Sequence, residues 1–459
     1  MKIKLFFFAF SLGLLIVRAS EIHVPADYPT IQEAIDAAST GDVIIVANGT
    51  YYENIDFMGK DITVTSNYAF SGDLNDILTT IIDGSQPTDP DIGSCVSFKN
   101  GETNDAIIQG FTITGGSGTK TFNPSDNAYF RTGGGILINE SAPTIKYNII
   151  KDNHCIAEAG VSGAGGGGIR MGFGQPVVTN NIIKNNSGGY AGGMMIAYCG
   201  GATIKNNLIA YNLATGSFDG GGGVYVDWEA VTLENNTIVY NHSGNKGGGL
   251  ITTGTVTLIK NCIIYGNTSS ITFPQIYRRF GGNVNITYSN LEGGIDGEGD
   301  EEGMIDEDPL FENNANFVLS STSPCIDSGN PDSLYNDIED PNSPGNALFP
   351  AMGTLRNDMG VYGGQGTVGI LAIETNALLE RMQVAFPNPY HQEGVLITTP
   401  NDRKIKVIAY DLTGKLLQKL GAFQLQPGAN LVPISLKTNT FLVIYEENGF
   451  KNVYKLIVD

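Results

Sequence analysis

Cysteine, histidine, tryptophan and basic residues are all scarce in this 459-residue chain. It has five cysteines, four histidines, one tryptophan and 26 Lys plus Arg against 47 Asp plus Glu, for a formal charge of −21. Nucleic-acid binding needs a basic surface, so this composition excludes that class of protein. The cysteines are odd in number, scattered and without a CxxC pair, which argues against a disulfide framework or a zinc site and predicts buried thiols. They are Cys95, Cys155, Cys199, Cys262 and Cys325.

Long hydrophobic runs are confined to the N-terminus. Lys2 and Lys4 precede the apolar run 5–17, and Ala19 follows as a small residue suited to cleavage. This arrangement predicts a signal peptide over residues 1–19. No later stretch has the length of a membrane span, so we expect a mature chain without a transmembrane segment, extracellular or at the cell surface.

Glycine is abundant, yet its pattern excludes a fibrous chain. There are 60 glycines but only 19 prolines and no strict triplet period, so a collagen-like helix is excluded and a turn-rich β architecture is indicated. The dominant internal signal is a repeated Asn-x-[IL]-x-x-Asn. Full copies begin at Asn148, Asn181, Asn207 and Asn236, and degenerate copies at Gly110, Asn261 and Asn290.

The spacing of these copies predicts a solenoid. Successive starts from Asn148 are 33, 26, 29, 25 and 29 residues apart, and glycine pairs with short alternating strands lie between them. A period of this length built from strands and turns predicts an all-β parallel β-helix, with one coil per repeat. The asparagines are expected to occupy a turn in the left-handed conformation and to hydrogen-bond to their stacked copies, a structural role. The strands are 135–138, 168–171, 193–196, 223–226 and 249–252.

The N-terminal part has the features of a cap over residues 20–60, ahead of coils over 61–295. Residues 30–38 have helical spacing, with Thr30 as N-cap and Glu33 completing a capping box. Gly49, Tyr51 and Glu53 then form a G-x-Y-x-E motif. The segment 22–65 resembles the opening of pectate-lyase-like right-handed parallel β-helix proteins, including pectin methylesterases. The catalytic motifs of the esterases and of polygalacturonases are absent from the body, so the resemblance implies the fold and not a reaction.

An acidic segment, residues 296–364, follows the coils. Its final part, residues 305–364, resembles the closing segment of bacterial β-helix surface proteins. The alternating acidic side chains at its start suggest a calcium loop, although Glu301 stands where a turn glycine is needed, and a solvated acidic loop is the other interpretation. The candidate calcium ligands are Asp296, Glu298, Asp300, Asp306 and Asp308.

The C-terminus is predicted to be a linker, 365–381, and a small Ig-like β-sandwich, 382–459. Short strands are punctuated by turns, after a P-N-P start at 387–389 and around a Y-D-x-x-G-K turn at 410–415. This pattern resembles the type IX secretion sorting domain, and an Ig-like binding module is the alternative. The resemblance implies a Gram-negative bacterial source and a partnership with the type IX secretion machinery.

The strands after the glycine pairs contain the candidate glycan-binding residues. If the first apolar residue points inward, alternation turns Arg170, Tyr225 and Asp227 outward, with Tyr198 and Trp228 at the edge of that face. Aromatic rings stack on the CH faces of sugars while polar groups bind hydroxyls, so these residues suit an extracellular polysaccharide. The alternative for Trp228 is that its ring folds over the adjacent turn and packs on Phe173 or Tyr198.

Catalysis finds less support in the sequence than binding. A lyase acting on uronates must neutralise a carboxylate and place a base, but the outer face offers a single arginine, and His154 and His242 are expected to lie three coils apart. A glycosidase needs two carboxylates about 5–10 Å apart, and Glu229 beside Asp227 is expected to turn toward a loop. We therefore predict a glycan-binding or structural surface protein. The alternative is a polysaccharide lyase or glycoside hydrolase.

Overall fold

The structure, a computed structural model, describes most of the chain. The described residues are 19–123, 126–216, 220–294, 302–312, 316–366, 383–385, 395–399, 403–410, 416–426, 428–433, 440–446 and 451–456. Residues 1–18 of the predicted signal peptide and 367–381 of the predicted linker lie outside them. No helix in the described ranges is long and apolar enough to cross a membrane.

Three long parallel sheets wind around a common core as a parallel β-helix, and the eight strands of sheet C give about eight turns. Sheet A consists of Glu21–Val24, Val43–Val46, Thr63–Ser66, Ile107–Gln109, Thr144–Lys146, Val177–Thr179, Thr203–Lys205, Thr232–Glu234, Val256–Lys260 and Asn283–Thr287. Sheet B consists of Gly49–Tyr51, Thr80–Asp83, Thr112–Thr114, Ile149–Lys151, Ile182–Lys184, Leu208–Ala210, Thr237–Val239, Ile263–Tyr265 and Asn290–Leu291. Sheet C consists of Ile55–Asp56, Val96–Phe98, Ile136–Asn139, Ile169–Gly172, Met194–Ala197, Val224–Asp227, Leu250–Thr253 and Ile276–Arg279.

Two smaller sheets complete the coils. Sheet D consists of His154–Cys155, Ser187–Gly188, Leu213–Ala214, His242–Ser243 and Thr268–Ser269. A side sheet consists of Ile92–Gly93, Gly118–Asn123, Ala128–Thr132 and Gly163–Gly165. The chain passes through sheets C, A, B and D in turn, and stacked aliphatic side chains fill the interior, as predicted for a solenoid. The helices are Ile31–Ala37, Tyr68–Ser71 and Leu74–Thr79, with a 3-10 turn at Ser333–Tyr335.

The repeat asparagines form two buried hydrogen-bonded ladders, one on each side of the sheet B strands. In the first, Asn207 accepts from the backbone N–H of Asn181 at 3.1 Å and donates to Asn236 at 3.1 Å. In the second, the Asn212 side chain accepts from the backbone N–H and from the side-chain amide of Asn186, each at 3.0 Å. Their predicted structural role is confirmed, because each side chain satisfies backbone groups that the turn leaves unpaired.

Two details of the predicted turn were wrong. The left-handed residue is the one before the ladder asparagine, as at Asn180, Asn206 and Asn235, with φ of 54°, 51° and 50°. The degenerate copies were also placed one residue away from the ladder, which continues through Cys262 and Ser289. An asparagine at the left-handed position and one on the ladder look alike in sequence, so the motif alone did not fix the register.

The N-terminal helix forms as predicted, but its cap is completed by a different carboxylate. Thr30 Oγ1 accepts from the backbone N–H of Glu33 at 3.2 Å. The two oxygens of Glu53 accept from the backbone N–H groups of Ile31 and Gln32, each at 2.9 Å. The last residue of the G-x-Y-x-E motif is therefore a helix cap. The hydroxyl of Tyr51, the middle residue of the motif, donates to the carbonyl of Ala47 at 2.9 Å.

The acidic C-terminal segment folds back along the outside of sheet B. Phe317, Met359 and Tyr362 are buried there against outward-facing residues of sheet B such as Ile182 and Leu208. The left-handed asparagines anchor it, since Asn235 Nδ2 donates to the carbonyls of Asp358 and Gly360 and Asn206 Nδ2 to those of Val361 and Gly363. We call described residues 302–312 and 316–366 the strap, because they cover a side of the solenoid as well as its last coil.

The described C-terminal strands form two antiparallel sheets. One consists of Gln383–Ala385, Val395–Thr399 and Gly428–Val432, and the other of Leu416–Leu425, Arg403–Tyr410, Thr440–Glu446 and Lys451–Leu456. The sequence pattern missed Leu416–Leu425, whose polar residues and glycine interrupt the apolar alternation. In the coils and strap, all five cysteines are buried and unpaired, as predicted.

Candidate functional site

The residues of sheet C that were predicted to point outward do so, but some of them are covered and do not form an open groove. The register places Arg170, Met195, Tyr225 and Ile251 in one outward column. Tyr225 is only 4% exposed and Ile251 is fully buried, because both pack with Ala191 in a small apolar cluster outside the main core. The hydroxyl of Tyr225 also accepts from Arg279 Nη1 at 3.2 Å. Tyr225 is therefore part of the support of the site and not an exposed sugar contact.

Aromatic side chains follow sheet C at the turn toward sheet A. Phe173, Tyr198, Trp228 and Phe280 each come directly after a sheet C strand, and each has a positive φ, between 47° and 65°. They are 56%, 41%, 50% and 70% exposed, respectively. We call these four residues the aromatic column. Phe280 was not among the predicted site residues, although it follows Arg279 as Trp228 follows Asp227, and aligning the strands would have found it.

The rings of the column pack in two different ways. Phe173 and Tyr198 stack on each other, with ring centroids 4.9 Å apart and an angle of 2° between the planes. Trp228 lies over Gly254, which takes the equivalent place in the next coil. Trp228 thus folds over the adjacent turn, as the alternative interpretation held, but Phe173 and Tyr198 pair with each other and Trp228 remains half exposed.

A guanidinium and a carboxylate lie beside the column. The Arg170 guanidinium rests on Gly172, with Nη1 2.9 Å from the position that a Cβ there would take. Arg170 Nη1 is buried and has no hydrogen-bond partner among the described residues. Burial lowers the pKa of Arg170, and burial raises the pKa of Asp227 to about 6, although the charges of Arg170 and Arg279 oppose that rise. Asp227 is therefore more easily protonated than an exposed aspartate.

The other candidate acids and bases do not assemble with Asp227. Glu229 Oε2 accepts from the backbone N–H of Gly200 at 2.6 Å, so this carboxylate is turned toward a loop, as expected. His154 and His242 occupy one column of sheet D, three coils apart, as predicted. Burial lowers the pKa of both imidazoles, which favours their neutral form.

The candidate calcium ligands are only partly described. Asp296, Glu298 and Asp300 lie outside the described residues. Asp306 accepts from the backbone N–H of Gly293 at 3.0 Å, and Asp308 from that of Leu310 at 2.9 Å. Within the described ranges, no three His, Cys, Asp or Glu side chains are grouped so as to hold a metal ion. Calcium binding at this loop stays a prediction.

The coils match the family described as the right-handed beta helix region over residues 37–268, just over half of the chain. The chain belongs to this family. The predicted right-handed parallel β-helix is thereby confirmed, and the match begins within the N-terminal helix and ends in sheet D. A comparison with curated proteins found no match. Membership in this family establishes the fold that carries the aromatic column.

Proposed function

We propose that this β-helix protein binds an extracellular glycan through the aromatic column. The observation that supports this is four exposed aromatic rings in left-handed backbone positions at the ends of four of the last five sheet C strands, with Gly254 in the fifth place. A bulky residue in that conformation costs about 1–3 kcal/mol. The same conformation recurs at packed turn residues such as Tyr211 and Tyr240, so it is the exposure of the rings that distinguishes the column. Phe173, Tyr198 and Trp228 lie on successive coils, about 4.8 Å apart along the axis, and give a linear apolar surface suited to a sugar chain. Phe280 lies two coils beyond Trp228.

Two left-handed aromatic residues at another turn of the solenoid have an evident packing role. Tyr211 and Tyr240, at the turn between sheets B and D, stack with centroids 5.6 Å apart, and Phe317 of the strap packs against both. The aromatic column has no comparable cover in the part of the chain that the structure describes. Its exposure therefore supports a role in binding.

Asp227 supplies the polar part of this site. Among the described residues its carboxylate has no side-chain hydrogen bond or ion pair, although the charges of Arg170 and Arg279 act on it, and it ends the strand directly before Trp228. A sugar hydroxyl beside the Trp228 ring would donate to it. Binding is favoured over glycoside hydrolysis or lyase chemistry, because Glu229 is engaged with Gly200 and both histidines lie elsewhere, on sheet D.

The proposal includes a location outside the cell. The predicted signal peptide, the P-N-P start and the Y-D-x-x-G-K turn support export by a type IX system in a Gram-negative bacterium. The two antiparallel sheets among the C-terminal residues are compatible with a sorting domain and equally with an Ig-like binding module. Acidic closing segments and glycan binding both suit a protein of the cell surface.

A glycan array with column variants tests the proposal. We expect Tyr198→Ala and Trp228→Ala each to weaken binding by about 1 to 3 kcal/mol with little change in melting temperature. Phe70→Ala removes another exposed ring, 63% accessible, on the helix Tyr68–Ser71 and serves as the control. A wild-type protein that binds no glycan, or column variants that bind as the wild type does, would contradict glycan binding through this surface.

A further inference from the structure

Gly254 interrupts the aromatic column and determines how Trp228 lies. Gly254 has φ of +65°, like its aromatic equivalents, but no side chain. A Cβ at this position would stand 2.6 Å from Cε3 and 2.7 Å from Cζ3 of Trp228. The indole therefore occupies space that any other residue at position 254 would fill.

The same pairing of a ring with a glycine occurs at the turn between sheets B and D. A Cβ at Gly266 would lie 2.5 Å from Cε1 of Tyr240, so that the Tyr240 ring covers Gly266 as Trp228 covers Gly254. At that turn Phe317 of the strap packs on Tyr240, with ring centroids 5.8 Å apart. Trp228 makes no contact with another aromatic ring within the described residues. In the described ranges, no aromatic side chain takes at Trp228 the place that Phe317 takes at Tyr240.

We propose that a hexopyranose ring of an uncharged glycan takes this place, seated on the indole that Gly254 allows to lie across the coil. This inference rests on the proposed function and names the sugar subsite. The CH face of the sugar replaces the ring of Phe317, and a sugar hydroxyl donates to Asp227. A purely apolar occupant would leave the Asp227 carboxylate without a donor, and burying an unpaired carboxylate is unfavourable.

Charge distinguishes between uncharged and acidic sugars. The subsite adjoins the Asp227 carboxylate on a chain of net charge −21, which opposes a second carboxylate on the ligand. The Arg279 side chain is turned toward the Tyr225 hydroxyl and lies over the Phe280 ring, with Cζ 4.3 Å from the centroid. Arg170 rests on Gly172, two coils from Asp227 in the register of sheet C. Both guanidinium groups act on the Asp227 carboxylate through their charge, but each is held by contacts to other residues.

Gly254→Ala tests the subsite without removing any aromatic residue. The added methyl must displace the indole, so we expect binding of cellohexaose or mannohexaose to weaken about tenfold or more, as with Trp228→Ala. Gly101→Ala is the matched control: Gly101 lies in the same turn of an earlier coil with φ of +82°, and its Cβ would meet nothing within 4 Å. Both variants introduce left-handed strain, but only one moves the ring.

The single tryptophan gives a direct readout. Titrating the full chain with either hexaose should shift the emission of Trp228, and polygalacturonate should not. Gly254→Ala that retains full affinity for a neutral hexaose, or tighter binding of polygalacturonate than of both neutral hexaoses, would overturn the subsite. Failure of the whole proposed function looks different, because Tyr198→Ala and Trp228→Ala would then also leave binding unchanged.

Discussion

The carboxylate of Glu53 caps the helix Ile31–Ala37 by accepting from the backbone N–H of Ile31 at 2.9 Å. The same carboxylate accepts from Gln32 at the same distance. Glu53 follows a strand of sheet B, so the bond ties the N-terminal helix to the first coil. A negative charge at this end also interacts favourably with the helix dipole.

Glu53→Ala should lower the free energy of unfolding by about 1 to 2 kcal/mol, because two N–H groups at the helix start lose their acceptor. Urea denaturation followed by circular dichroism measures this loss. Glu33→Ala is the control, since Glu33 is exposed and lies on the same helix. Equal stability of the two variants would show that the bond from Glu53 contributes nothing.

Asn207→Ala should destabilise the solenoid by about 2 to 4 kcal/mol. The buried Asn207 side chain donates to the carbonyls of Val178 and Lys205 and accepts from Asn181, and alanine would leave these groups unpaired. The exposed Asn342→Ala should change stability by less than about 0.5 kcal/mol. Thermal unfolding of both variants beside the wild type compares them. A loss at Asn207 no larger than that at Asn342 would contradict the structural role of the ladder.

Stability should fall as pH rises between about 4 and 8, because of two buried carboxyl groups in the strap. Burial raises the pKa of Asp337 to about 8 and that of Asp358 to about 7, from an ordinary value of 3.8. Between these pH values the two carboxyl groups stay protonated in the folded protein but lose their protons in the unfolded chain. Their contribution to stability is therefore fully present below about pH 4 and is lost as the pH rises through the pKa values of the folded state. Unfolding measured at several pH values should be less pH-dependent in Asp337→Asn, and an unchanged slope would contradict the assignment.

Truncation after Gln365 should leave the β-helix folded while retaining it in the periplasm. This variant keeps nearly all of the strap, and each coil of a solenoid packs on its neighbouring coils. Truncation after Gly294 would instead expose the apolar outer face of sheet B, including Ile182 and Leu208, and should aggregate or unfold at lower temperature. Fractionation and thermal melting test both. Surface display of the Gln365 truncation would refute the sorting role of the C-terminal domain.

The repeat, the Thr30 N-cap and the inward face of each strand were determined by the sequence itself. Period-2 alternation places Ile169 inside and Arg170 outside whatever the rest of the chain does, and stacking of like positions follows from the repeat length. The aromatic positions Tyr198 and Trp228 could be predicted for the same reason, since they end strands of known register.

Tertiary structure alone decided which of these outward residues reach solvent. Tyr225 points outward as predicted, yet Ala191 and Ile251 cover it. Tyr240 and Trp228 occupy similar left-handed turns, but Phe317 covers only Tyr240. Exposure depends on segments distant in sequence, which no local pattern encodes. The position of the Trp228 ring also depends on the lack of a side chain at Gly254, which matters only once the two coils are stacked.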